Sequence, residues 1–483
     1  MAGTTSFHVT GNGFPGGIPN TSVTVSFGAT CLAPTPTATT ASTHVTHVVG
    51  TTDSVYATIP STLATGAYIV WVTGSSPAFT SSTCSMLTVT NTTKTLSSCI
   101  PSSSLAVSLG STVTAYVPNG CWVCGETGVQ VVPIEGGGLP SSIATPNVVN
   151  ACSSDALTGE TVCTANNTDV YAITGTTLNS TLTSSANVTA SFSGGSCKNC
   201  GVAINAATNT AYISGGFSGG VSFDGIQPLN LANNMFSTPF PSKYTVSENI
   251  AVDPTRSLIF SPDEQGVYDV FQIAINGALS EFAGPYVSGE GDSATEDCVT
   301  GLALSSVEFT NNVFIEDITQ AVYTPGSPAG TYTAPNSLLT METAYPFSAG
   351  TSGISIAPGS SHLAVVTGEF GGNTFAVLQL PSTSGSGTPS ILDYAVAAIP
   401  ASTACGGTFS AGYDPHTVTA YTSPNDGKAY AVFAGYSGGA PVCLARIDLA
   451  AVLAATRGGG FYGANDVAPA NFPAGAATFF STH

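Results

Sequence analysis

The densest set of side chains able to do chemistry is the run Glu290-Gly-Asp-Ser-Ala-Thr-Glu-Asp297. Glu290, Asp292, Glu296 and Asp297 offer carboxylates, with Ser293, Thr295 and backbone carbonyls between them. Hard oxygens gathered this way suit Ca2+, although the spacing is not that of an EF-hand loop. The run is expected on the loop leading into the inner strand of a fifth sequence repeat, with Glu248 leading into the fourth in a similar way. A solvated acidic loop is the favoured reading, with a Ca2+ site as the alternative.

Other matches to reactive motifs read as turns. Gly216-Phe-Ser-Gly-Gly220 and Gly435-Tyr-Ser-Gly-Gly439 satisfy G-x-S-x-G, but a nucleophile elbow needs a helix after the serine. Both fall at the same point of a repeat, a Gly-rich turn between strands. Gly11-Asn-Gly-Phe-Pro-Gly16 satisfies G-x-G-x-x-G, yet the prolines and following strand exclude a dinucleotide-binding βαβ unit. His44 and His47 would point to opposite faces of a strand. His416, behind Asp414-Pro415, is expected as a packed or hydrogen-bonded core residue, with the lining of a central channel as the alternative. His8, His362 and His483 form no pattern with other ligands. No catalytic constellation emerges.

Cys121-Trp-Val-Cys124 and Cys197-Lys-Asn-Cys200 are C-x-x-C pairs. Neither is followed by the histidine of haem attachment, and they lie too far apart for a zinc ribbon. Local disulfides are the favoured reading; pairing with distant cysteines, and metal or redox chemistry, stay open. Cys152–Cys163 would staple a hairpin and Cys405–Cys443 would brace the last repeat. Elimination leaves Cys99 with Cys298.

The surroundings of these residues are unusual. The 483 residues hold 7 Lys and Arg against 27 Asp and Glu, a net charge of −20, and only 7% are charged. Soluble domains average roughly 25%. Scattered single cations exclude nucleic-acid binding, which needs clustered ones. Twelve cysteines, an even number, point to an oxidising, extracellular setting. No apolar run approaches the ~18 residues of a membrane helix. The first residues lack a signal peptide's basic and apolar regions, so the numbering is expected to start after signal removal or at an engineered Met. Sequons of N-x-S/T form occur at Asn20, Asn91, Asn166, Asn179 and Asn187.

Abundant Thr, Ser, Gly and Pro with few helix formers predict an all-β chain. Over 1–93, Ser6-Phe-His-Val-Thr10, Ser22-Val-Thr-Val-Ser-Phe27, Ser54-Val-Tyr-Ala-Thr-Ile59, Gly66-Ala-Tyr-Ile-Val-Trp-Val-Thr73 and Ser85-Met-Leu-Thr-Val-Thr90 alternate with turn signals, as in a small β-sandwich. The succession VTGNGFPGG, VTVSFGATC, ATIPSTLATGAYIVWVTG and MLTVTNT resembles the IPT/TIG immunoglobulin-like family, which implies an extracellular spacer or interaction module. A sandwich of that kind would bring Cys31 and Cys84 together.

Over 98–483 a unit of about fifty residues recurs, the scale of a multi-strand β repeat. Asn249-Ile-Ala-Val-Asp-Pro, Leu258-Ile-Phe-Ser-Pro-Asp and Gly266-Val-Tyr-Asp-Val-Phe illustrate it, as do Gly353-Ile-Ser-Ile-Ala-Pro, His362-Leu-Ala-Val-Val and Asn373-Thr-Phe-Ala-Val-Leu. In the fifth repeat, Gly301-Leu-Ala-Leu reads as the first strand. About seven such units predict a β-propeller. The AVDP-like turns resemble YVTN/NHL-type extracellular propellers, bacterial in type. A short helix is expected behind Asp448, ended by Gly458-Gly-Gly.

The expected function is a secreted, non-enzymatic structural or interaction protein, associating with copies of itself or other surface components in a layer or filament. The alternatives are a propeller face binding a glycan or small ligand near Trp122 and the acidic run, and a secreted lyase or hydrolase. No cofactor beyond Ca2+ is implied.

Overall fold

The computed structural model describes residues 6–11, 23–46, 53–60, 63, 66–75, 78–80, 84–89, 105–109, 112–119, 126–155, 159–185, 199–218, 222–244, 249–263, 266–274, 276–286, 289–341, 347, 350–368, 372–383, 387–411, 418–437, 440–455 and 472–482. The chain is all-β.

In the N-terminal part, strand Ala38–Thr46 changes partner along its length. Its start pairs with Val23–Gly28 and its end with Asp53–Thr58. Gly66–Ser75 pairs on the other side of Val23–Gly28 and also holds Ser85–Val89. Val23, Val25, Phe27, Val55, Ala57, Val70 and Val72 form the buried core. The Cys31–Cys84 disulfide forms as expected, with Cα atoms 5.7 Å apart.

From residue 105 the described residues form seven consecutive antiparallel units, of which the first two share one long strand in a single seven-stranded sheet. The first comprises Ala106–Leu109, Val113–Pro118, Thr127–Glu135 and the start of the long strand Ser141–Ser154. The second takes the end of that strand, then Glu160–Ala165, Asp169–Thr174 and Thr177–Thr183. The third comprises Asn199–Asn205, Thr210–Ser218, Ser222–Asn230 and two short outer pieces. The fourth is Ala251–Asp253, Leu258–Pro262, Val267–Ile273 and Leu279–Tyr286. The fifth is Glu290–Asp297, Leu302–Glu308, Asn312–Asp317 and Asn336–Thr340. A hairpin, Val322–Thr324 with Gly330–Thr333, leaves the fifth unit and adds to the fourth, where Phe282 pairs with Gly330 in parallel. The sixth is Thr351–Ile356, Leu363–Gly368, Thr374–Gln379 and Asp393–Ala398. The seventh is Val418–Thr422, Ala429–Ser437, Ala440–Asp448 and Ala477–Ser481.

Strand alternation explains the continuous apolar runs. Successive side chains point to opposite faces, and both faces of each unit are covered. In the sixth unit Leu363, Val365, Phe375 and Val377 face the seventh, whereas Ala364, Val366, Ala376 and Leu378 face the fifth. Seven apolar clusters follow one another this way, each shared by neighbouring units. The last joins Val107, Ala115 and Val132 of the first unit to Tyr421, Val432 and Leu444 of the seventh.

A five-residue turn follows the inner strand in several units. Asp253 accepts from the amides of Thr255 and Arg256 at 2.7 and 3.0 Å. Asn205, Asp297 and Ser423 cap their own turns likewise. The fifth residue takes positive φ: Asn209 at 53°, Ser257 at 57°, Gly301 at 77° and Gly427 at 73°. Asp, Asn and Ser favour this capping because their short polar side chains reach the local backbone.

The hydroxyl richness is partly internal. Thr295 Oγ1 accepts from Ile356 N at 3.1 Å, Ser355 Oγ accepts from Ala420 N at 2.8 Å, and Thr419 Oγ1 donates to Leu105 O. Each bond ties the inner strand of one unit to the next, where backbone groups would otherwise be buried without partners.

Cys152 and Cys163 sit directly opposite one another, 4.1 Å apart at Cα, and are bonded. Cys405–Cys443 ties a short 3-10 turn to the seventh unit. Cys200 and Cys298 are also in disulfides; Cys99, Cys121, Cys124 and Cys197 lie outside the described residues. The predicted helix forms over Leu449–Ala455, with Ala451 N donating to Asp448 Oδ1 at 3.0 Å.

Candidate functional site

The acidic run is not a loop. Glu290–Asp297 is the inner strand of the fifth unit, and Gly301-Leu-Ala-Leu begins the second strand. An acid-rich segment reads as solvated because carboxylates are rarely buried unpaired. Here Asp292, Glu296 and Asp297 are all buried, while Glu290 is half-buried at the strand's start. A register shift between Gly291 and Ala294 lets the strand re-aim its side chains.

Adjacent positions then serve opposite neighbours. Glu296 reaches back to the fourth unit, where Arg256 Nη1 donates to Glu296 Oε1 and Asp253 Oδ2, each at 2.9 Å, and lies 3.3 Å from Cys298 O. Asp297 reaches forward to the sixth unit, with Asp297 Oδ2 2.6 Å from His362 Nδ1. His362 sits at φ 52° in the turn after that unit's inner strand. Glu290, Asp292, Glu296 and Asp297 are therefore not gathered into one coordination shell.

Among the described residues, the one grouping of three potential metal ligands is Asp253, Glu296 and Cys298. Its donor set does not fit a metal. The Cys298 sulfur is already in a disulfide, and a guanidinium lies between the two carboxylates. Burial and the charge of Asp253 push the Glu296 carboxyl up, against the opposing pull of Arg256. A proton on one carboxyl leaves one negative charge facing one guanidinium, the arrangement a low-dielectric interior tolerates best.

A second buried acid shares this face. Glu296, Ala303 and Glu316 lie side by side across three strands, so both carboxyls flank a small side chain. Tyr332, on the inserted hairpin, donates to Glu316 Oε2 at 3.0 Å. Burial pushes Glu316 up to about 8, with the Tyr332 bond acting the other way. Burial also raises Tyr268, which packs its ring 5.4 Å from Phe314.

The pH dependence follows. Glu316 binds its proton more tightly folded than unfolded, so its contribution is complete below about pH 4.5 and declines up to about pH 8. His362 is raised above 6.5, chiefly by its hydrogen bond to Asp297. Its contribution is complete below that value and declines as pH passes the raised one. Urea midpoints are expected to fall from pH 5 to pH 9, with the fall reduced in E316Q and again in E316Q/H362Q. Equal slopes in all three proteins would refute the assignment.

The G-x-S-x-G matches lead from strand to strand. Ser218 pairs with Ser222 and Ser437 with Ala440, each between adjacent antiparallel strands. Residues 12–16, His47, Trp122, Gly219, Gly220, Glu248, His416, Gly438, Gly439, Gly458 and His483 lie outside the described residues, as do the side chains of His8 and His44. A pocket of about 210 Å³ lies between the sixth and seventh units, lined by Thr367, Asn373, Thr374, Ile399, Phe409 and Phe433 among others. Small-molecule sites commonly span roughly 300–1,000 Å³.

Sequence reasoning missed Arg256, which stood as one scattered cation, and Glu316, which stood in no acidic run. Arg256 had a signal: it occupies the fourth place of the recurring capped turn, beside the next unit's inner strand. Glu316 had none, because its partner Tyr332 comes from the inserted hairpin.

No family model matches the chain, and no curated protein matches it. Many solved structures are similar to it, among them the following three. A functionally unknown protein from Desulfotomaculum acetoxidans DSM 771 shares 14% identity over 65% of this chain and 93% of that one, with a TM-score of 0.42. Kuenenia stuttgartiensis hydrazine synthase shares 12% over 72% and 96%, with a TM-score of 0.48. A chain of a mitotic checkpoint complex shares 12% over 63% and 81%, with a TM-score of 0.38. Likenesses this distant carry no argument about activity.

Proposed function

We propose that the chain is a secreted, non-enzymatic structural protein that associates with copies of itself in an extracellular layer or filament. In this reading an immunoglobulin-like module of IPT/TIG type precedes a seven-bladed β-propeller. One observation carries it: the reactive groups Arg256, Glu296, Asp297 and His362 are held in buried pairs that join consecutive sheet units. Groups held in this way brace a scaffold.

The propeller arrangement is supported by the cyclic succession of apolar clusters, which returns from the seventh unit to the first. The extracellular setting is supported by the three disulfides joining described cysteines. Among the described residues, no helix is long and apolar enough to cross a membrane. Self-association is supported by the low share of charged residues, 7%, which leaves hydroxyl-rich surfaces. The net charge of −20 acts against it, so screening by salt or Ca2+ is expected to favour it.

Electron microscopy and light scattering of native material, with and without added Ca2+, test the reading. Ordered oligomers or filaments are expected. Monodisperse monomers under both conditions would overturn it.

A further inference from the structure

The second unit carries two sequons that nothing above uses. Asn166-Asn-Thr168 forms the bend between Glu160–Ala165 and Asp169–Thr174, and the Asn166 side chain is exposed. Its backbone N–H is satisfied by Val148 O at 3.0 Å, so the side chain is not needed to close the turn. Asn179-Ser-Thr181 lies in the middle of the outer strand Thr177–Thr183, where Thr177, Asn179, Thr181 and Thr183 are exposed. The Asn179 amide donates only to the neighbouring exposed Thr174 Oγ1, at 2.7 Å.

That strand is an open sheet edge. An open sheet edge offers unpaired backbone groups to other chains, and folded proteins blunt it with charge, proline, bulges or a cover. The fourth unit's outer strand is covered by the inserted hairpin. The sixth unit's is packed under Leu449, Val452 and Leu453 of the helix. The third unit's outer pieces are two residues each, and one ends in Pro241. Thr177–Thr183 is the edge of its sheet, with neither charge nor proline along it. Its sequence does carry an acceptor asparagine on the exposed face.

We infer that the outer rim of the second unit is an N-glycosylated surface, with Asn166 and Asn179 as acceptors. The donor is a lipid-pyrophosphate-linked oligosaccharide outside the cytoplasm. The asparagine amide nitrogen bonds to the sugar's anomeric carbon, the bond from that carbon to the pyrophosphate oxygen breaks, the lipid pyrophosphate leaves and the amide loses one proton. The hydroxyls of Thr168 and Thr181 complete the acceptor motif. A glycan at Asn179 would stand over this neutral edge, and one at Asn166 beside its end, since Thr183 pairs with Asp169. Self-association would then proceed elsewhere on the molecule.

The inference rests on the extracellular reading alone. Its test is peptide mass mapping of the protein recovered from outside its native host, beside T168A and T181A variants. One glycan mass is expected on each asparagine, lost site by site in the matching variant. Bare asparagine at either position in the exported protein would overturn the inference. Protein found only inside cells with free thiols would instead overturn the extracellular reading, and this inference would fall with it.

Discussion

Replacing Arg256 with Met is expected to destabilise the fold by about 3–5 kcal/mol, the range for breaking a buried ion pair from one side. The side chain is 8% exposed, and its two carboxylate partners are buried more deeply. Met fills similar volume, so the loss reports the charge and hydrogen bonds rather than a cavity. Two carboxyls would then face each other across the junction of the fourth and fifth units without a counter-ion. Proton uptake relieves part of this, so the variant should lose more stability at pH 8 than at pH 5. R256K should recover only part, because an ammonium cannot span both carboxylates as a planar guanidinium does. R256M/E296Q should be more stable than R256M, because it removes one of the stranded acids. Urea unfolding followed by tyrosine fluorescence measures all three. A midpoint for R256M within about 0.5 kcal/mol of the parent, the range of ordinary surface changes, would show that the pair bears little.

The contrast between legible and hidden features has a common physical origin. The all-β class, the succession of units, the capped turns and the helix behind Asp448 were legible because each depends on local pattern. The pairings Cys31–Cys84, Cys152–Cys163 and Cys405–Cys443 were legible because strand order brings those residues together. The fifth unit was read one strand out of step. Gly301-Leu-Ala-Leu looks like Gly201-Val-Ala-Ile of the third unit, and Glu290–Asp297 looks like a loop. What makes that acidic segment a buried strand is supplied from other units: Arg256 from the fourth and His362 from the sixth. A carboxylate's burial depends on a partner that local sequence does not contain, so the residues most like a site were the hardest to place.

The same dependence on distant partners governs how the last unit meets the first. Among the described residues the strands of each come from one continuous stretch, with no strand exchanged between them. Their junction therefore rests on side chains: the shared apolar cluster, bonds from Thr419, Tyr436 and Arg446 to backbone carbonyls of the first unit, and the carboxylate of Glu135. Glu135 Oε1 accepts from Tyr421 Oη at 2.6 Å and faces Arg446 Nη1 at 3.1 Å. Its Oε2 accepts from Ser423 Oγ and Asn425 Nδ2, each at 2.7 Å. Arg446 also stacks 4.6 Å from the Tyr430 ring. Every donor belongs to the seventh unit, and several partners are polar groups that would lose their acceptor together. Truncation by E135A is expected to cost about 3–5 kcal/mol, as for a buried pair broken from one side. E135Q should cost less, since an amide keeps an acceptor for Tyr421 but loses the charge facing Arg446. The loss should also be local. Hydrogen exchange should quicken most in Ala106–Leu109 and Val418–Thr422, the inner strands tied by the Thr419–Leu105 bond, while the strands of the third and fourth units keep their protection. Uniform loss of protection across all seven units would mean that Glu135 contributes to general stability and does not act as the latch between the first and seventh units.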